Sequence, residues 1–247
     1  MTDYQIYILS QKEKTSVDVA MSVFLAVLGF LFFQSLILLF ILPFVRKKVH
    51  QIYSAYRKNK RQKQLLREFR DFLFSLSASF ATGRHMTEAM KEARTALEHI
   101  YGTKGLLSEE LSSMLKAIEE TGQSEQKVFA DFANRTGLED IRLLSEVYTV
   151  CRATGGNMAT AVNKAAALLT EKIHLEMEIE TMLSQKKLEG TIIALMPAVM
   201  IFFLLWMSPS YLEPMYTTAA GRLLMAAALA INGFAYYWME KMTDVTL

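Results

Sequence analysis

Four histidines, at positions 50, 85, 99 and 174, are the first residues that could do chemistry, because imidazole serves as both metal ligand and general base. Their spacing supports neither role. No two stand in an HExxH arrangement, which would aim both rings at one zinc from a single helix face, and no other paired-ligand spacing is present. No GxxxxGK[ST] loop is available to cradle phosphates, and no serine stands in the strained GxSxG elbow. The one cysteine, Cys151, cannot close an internal disulfide and is expected to behave as a small buried hydrophobe. The expectation is a protein that is not an enzyme, with no metal and no cofactor.

The residues that do stand out are structural or contact residues. In CRATGGNMATAVNKAA (151–166) two adjacent glycines separate two helical patterns in a chain with only eleven glycines. Gly155 suits a left-handed helix end, Gly156 would permit a close approach of the two helices, and Asn157 can cap the next helix. Gly83 marks an earlier turn of the same kind. Glu88, Glu139 and Asp140 stand where helices start; such acids either complement the helix dipole or form a partner contact. Pro197 interrupts an apolar run, where its missing N–H removes the bond to the Ile193 carbonyl and favours a kink.

The elements that hold these residues lie partly in a membrane. No residue between 19 and 45 is charged. As helix that stretch is roughly 40 Å long, more than the ~30 Å hydrocarbon core, so it is read as one tilted span or one span plus an interfacial turn. It is too long for the core of a signal peptide, has no small-residue cleavage pattern after it, and is expected to be retained. Two further apolar runs, 191–207 and 223–239, flank SPSYLEPMYTTAAG and read as a membrane hairpin.

Charge supplies the orientation. Residues 46–70 hold ten Lys or Arg and one acid, Glu68, whereas residues 1–18 hold two Lys and three acids. The positive-inside rule then places a short N-terminus (1–18) outside, the first span at 19–45, and a basic juxtamembrane stem (46–70) in the cytoplasm. A cytoplasmic bundle (71–190), the membrane hairpin (191–239) and a cytoplasmic tail (240–247) follow. Ten cations next to a bilayer favour anionic headgroups over nucleic acid, since no nucleic-acid reader module is visible. The bundle is acidic by contrast, with thirteen Lys or Arg against eighteen Asp or Glu over 71–190, and so would attract a basic partner surface.

Between the spans the periodicity is helical. Leu65, Leu66, Phe69, Phe72, Leu73, Leu76 and Phe80 recur at spacings of three and four along 60–81. Glycines at 83, 102, 105, 122, 137, 155 and 156 then separate short helices, with Ser108 and Ser124 read as N-caps. From Asn157 to Leu188 no Gly or Pro intervenes, so a last long helix should run directly into the second span. The fold class is therefore an all-α integral membrane protein, with three transmembrane helices and a cytoplasmic bundle of about six helices between the first and second.

The runs FLFSLSASFATGRHMTEAMKEA (72–93) and FANRTGLEDIRLLSEVYTVCRATGGNMATAVNKAAALLTEKI (129–173), followed by a hairpin with Pro197 in its first span, resemble the type II secretion system F family. Within it they are most similar to the TadB/TadC-like inner-membrane platform proteins of tight-adherence (Flp, type IV) pili. Gly83, Glu88, Glu139, Asp140 and the Gly155–Gly156 turn are the matching positions. The resemblance implies a platform in the cytoplasmic (inner) membrane that couples a cytoplasmic secretion ATPase to the assembly of pilin subunits. Longer relatives carry two copies of the helical unit, and no internal repeat is found here, so a homodimer or a paralogous platform protein is expected to supply the second. The rival reading is a membrane-anchored helical signalling protein, which would need an output domain where this chain instead re-enters the bilayer.

Overall fold

The computed structural model describes residues 4, 5, 7, 9–35, 40 and 42–243, with the side chains of 44, 209, 240 and 243 left aside. Residues 36–39 and 41 of the first apolar run, and 244–247 of the expected tail, lie outside the described residues. Among the described residues the regular structure is nine helices: α1 (Gln11–Phe33), α2 (Leu42–Ala81), α3 (Met86–Tyr101), α4 (Leu106–Thr121), α5 (Glu125–Thr136), α6 (Glu139–Thr154), α7 (Met158–Met207), α8 (Pro209–Thr217) and α9 (Ala219–Thr243). They divide into two compact units.

The first unit contains Met1–Ile8 and Tyr53–Leu175 and is a helical bundle. Its centre is the apolar stripe read from the sequence of α2: Leu65, Phe69, Phe72, Leu73 and Leu76 are all buried. A chain of rings links α2 to α5 and α6, with centroids 5.9 Å apart for Phe69–Phe72, 6.5 Å for Phe72–Phe129 and 5.9 Å for Phe129–Tyr148. Small residues Ala89 and Ala93 let α3 approach this core beside Met90 and Leu97, and Val162, Ala166, Leu169 and Ile173 close it from α7. Fully burying a side chain of this size contributes about 1.5–3 kcal/mol, so this core rather than helix propensity holds the unit together.

One expected cap is placed differently. Ser108 lies inside α4, buried, and its Oγ has no hydrogen-bond partner; the helix starts two residues earlier, after Gly105. The cap comes from another helix, because the fully buried Glu68 carboxylate of α2 accepts the Leu107 N–H at 2.8 Å. An acid at that place satisfies an orphan amide and complements the helix dipole together. Ser124, in contrast, caps α5 locally, its side chain accepting from the Lys127 N–H.

The start of the chain belongs to this bundle as well. Tyr4 is 3% exposed in its core and donates its N–H to the Arg135 carbonyl at 3.2 Å. Arg61 lies 4.6 Å from the centre of the Tyr4 ring, Gln5 Nε2 donates to the Asn134 carbonyl at 2.7 Å, and Ser54 Oγ donates to the Tyr7 carbonyl at 2.6 Å.

The second unit contains Leu9–Ile52 and Glu176–Leu247. Three of the helices are long and apolar enough to cross a membrane, over Gln11–Phe33, Met158–Met207 and Ala219–Met239. The uncharged stretch 19–45 is split between two helices: Gln34, with φ 46°, ends α1 by donating its N–H to the Phe30 carbonyl, and α2 begins at Leu42. The physical reason is the Gln34–Ser35 pair, whose backbone turns there, with Pro43 suited to the first turn of the next helix. Phe32, Leu212, Tyr216 and Met225 form a small core, and the Tyr216 hydroxyl donates to the Leu31 carbonyl at 2.6 Å. Asn232 Nδ2 of α9 donates to the Ala194 carbonyl of α7 at 3.1 Å, the kind of polar link that joins helices in lipid. Met207 ends α7 at Ser208–Pro209, where the apolar run stops.

Candidate functional site

The glycine turn joins α6 to α7. Gly155 has φ 68° and ψ 22°, the left-handed conformation that costs a residue with a Cβ about 1–2 kcal/mol. Its N–H and that of Gly156 both reach the Cys151 carbonyl, and Asn157 Oδ1 accepts the Thr160 N–H at 3.1 Å to cap α7. A Cβ on Gly156 would meet Cys151 Sγ at 3.5 Å, an ordinary contact, so close packing does not explain that second glycine. Gly83, with φ 80°, turns the chain from α2 toward α3.

The three acids singled out from sequence start helices but are not brought together. Glu139 is exposed on the first turn of α6 and pairs with Arg142 of the same helix at 3.3 Å. Asp140 reaches across to Lys172 of α7 at 2.8 Å, fastening the two helices on either side of the glycine turn. Glu88 is exposed on the first turn of α3, and among the described residues no hydrogen bond or ion pair joins it to the other two. Glu139 also lines a shallow cleft of about 340 Å³ with Gln5, Asn134, Gly137, Leu138 and Arg142.

Two polar networks that no local pattern announced hold this surface in place. Glu125, at the start of α5, accepts from Thr87 of α3 at 2.8 Å and from Tyr148 and Arg152 of α6. Burial and then the Glu125 carboxylate push the Tyr148 hydroxyl up to about 12, so it remains a donor at any physiological pH. Deeper in, Glu110 of α4 receives both arms of the Arg135 guanidinium, at 3.1 and 2.8 Å, and the same Arg135 holds Asp131 at 2.8 Å. Burial works to lower the Arg135 pKa, but its hydrogen bonds to Glu110 and Asp131 outweigh that and raise it. The Glu110–Arg135 partners are 25 residues apart in sequence, which is why helix-period reading passes over them.

After the glycine turn comes α7. The 50 residues of α7 correspond to about 75 Å of continuous helix, starting with the buried Val162 and Ala166 and ending in an apolar segment exposed at Ile193, Val199 and Phe203. Pro197 lies inside it, and the helix continues past it to Met207.

The bundle is braced by ion pairs, and α7, which starts in it, carries a segment long and apolar enough to cross a membrane. Among the described residues no group of three His, Cys, Asp or Glu side chains could hold a metal ion. The family model for Type II secretion system (T2SS), protein F, matches residues 72–206, from Phe72 in the bundle core to Trp206 near the end of α7. That is more than half of the chain, and the chain belongs to this family. Its members are structural platform-type proteins of secretion and pilus assembly rather than enzymes, and the three apolar helices fit a protein of the inner membrane. No curated protein and no solved structure matches the chain.

Proposed function

We propose that this chain is the inner-membrane platform of a Tad-type (type IV) pilus or a related type II secretion machine, coupling a cytoplasmic secretion ATPase to the assembly of pilin subunits. The observation that carries this reading is the family match, which takes in the bundle core from Phe72 and the apolar part of α7 as far as Trp206. A helix that starts in the bundle and ends in an apolar segment can pass a displacement into the bilayer, where pilins reside before assembly. The basic stem favours a cytoplasmic bundle by the positive-inside rule, and the bundle's net acidity would draw a basic ATPase surface. Exposed Glu88 and Glu139 are the candidate contacts, while Asp140 is committed to Lys172.

A second chain, identical or paralogous, completes the platform. Leu175, Met182 and Leu188 of α7 are 52%, 60% and 62% exposed, an apolar stripe suited to a neighbouring helix. Reporter fusions at Leu107 should read cytoplasmic and at Tyr211 external. Purification of the full chain from native membranes in mild detergent should bring down a hexameric secretion ATPase, and a Glu88→Lys, Glu139→Lys double variant should lose it. Recovery of a response regulator in place of an ATPase would overturn the platform reading and favour a signalling protein.

A further inference from the structure

The two charges that bound the uncharged stretch 19–45 are paired with each other. Asp18 Oδ2 lies 2.7 Å from Arg46 Nη2, and Asp18 Oδ1 lies 2.8 Å from His50 Nε2. A single helical crossing would separate positions 18 and 46 by roughly 40 Å and set them at opposite faces of the bilayer. Within the bundle the same antiparallel order holds, with Arg57 donating to the Tyr7 hydroxyl at 3.2 Å and Arg61 stacked over Tyr4. Going up α2 from 46 to 61, the partners run backward from 18 to 4.

We propose that the chain enters the membrane after Asp18 and leaves it before Arg46 on one and the same face, as a re-entrant hairpin, so that Tyr4 and Tyr7 share the side of the bundle they pack in. From Asp18 to Phe33 the helix rises about 22 Å, less than the ~30 Å hydrocarbon core. One face of the outgoing leg is made for acyl chains: Val19, Val23, Val27 and Phe30, at helical spacing, are each more than half exposed. The other face, with Leu28, Leu31 and Phe32, packs on Leu212, Tyr216 and Met225.

Backbone polar groups near the end of α1 are answered where the bilayer would penalise them. At the tip, Gln34 and Ser35 return their N–H groups to the Phe30 and Gly29 carbonyls, and Tyr216 donates to the Leu31 carbonyl. At the neck, Asp18 is held by Arg46 and His50 among the headgroups, and Lys12 and Lys14 join the cations of the stem on one face.

The test uses the full chain in native membranes, in a Cys151→Ser background, with single cysteines at Lys12, Lys104 and Tyr211 and a membrane-impermeant maleimide. The expected result is that Lys12→Cys and Lys104→Cys label together in inverted vesicles, and that Tyr211→Cys labels in intact cells. A paired Asp18→Cys, Arg46→Cys chain should also be bridged internally by a short bis-maleimide, without a shift to dimer size. Labelling of Lys12→Cys from the face opposite Lys104→Cys, or no internal bridge between 18 and 46, overturns the hairpin. If Lys104→Cys and Tyr211→Cys exchange faces while Lys12→Cys still follows Lys104→Cys, the cytoplasmic assignment of the bundle fails and the hairpin stands.

Discussion

Arg135→Met removes a buried, two-armed ion pair of the bundle. The Glu110 side chain is 4% exposed and both its oxygens face the guanidinium, so the substitution leaves a carboxylate out of water with its two charge-assisted bonds gone. Breaking a buried pair from one side costs about 3–5 kcal/mol. Against a typical total of about 5–15 kcal/mol this is a large fraction. Removing both charges by Glu110→Leu with Arg135→Met should recover more than half of the loss, because an apolar pair of similar volume carries no desolvation penalty. Denaturant titration of the full chain in mild detergent, followed by the fluorescence of a dye on Cys151, reads the bundle directly. Arg135→Met within about 1 kcal/mol of the parent, or a double variant as weak as the single, would falsify the argument that this charge pair is both buried and coupled.

Other perturbations address other parts of the chain. Gly155→Val forces a β-branched residue to φ 68° and should weaken the bundle by at least about 1–2 kcal/mol in the same titration; an unchanged midpoint means the turn does not hold that conformation. At Gly221 a Cβ would sit 2.5 Å from the Met215 Cα and 2.6 Å from the Pro214 carbonyl, both backbone, so Gly221→Ala should cost about 1–3 kcal/mol and lower the yield of folded protein from membranes. Hydrogen bonds from Ser79 and then Arg84 hold the Glu92 carboxyl below its usual range, so it contributes stability above roughly pH 4.3 that disappears as pH falls through its depressed value; Glu92→Gln should flatten that part of the acid limb, and an identical limb refutes the assignment. Cysteines at Met177 and Met182, both exposed on α7, should cross-link to a second copy or a paralogue in native membranes; pilus assembly with no such link would mean that one chain suffices.

The helices themselves were legible in the amino-acid order because their causes are local. Spacings of three and four along α2 mark the buried face, each glycine stop after α3 to α6 falls at a helix end, and the absence of Gly and Pro after Asn157 predicts the unbroken start of α7. Apolar length likewise identified the membrane-capable helices, since the bilayer responds to a run of composition rather than to a fold. What the order of residues could not show is every interaction whose partners are distant in the chain. The cap of α4 comes from Glu68, thirty-nine residues away from Leu107, while the local candidate Ser108 is buried and unbonded. Glu110 met Arg135, Glu125 met Tyr148, and Tyr4 entered the bundle core only when the helices packed. The uncharged stretch 19–45 shows the same limit, because hydropathy counts how many residues lipid can cover and is blind to direction. Its direction rests on Asp18 meeting Arg46 and His50, a contact between two helices that only the tertiary structure brings within 3 Å.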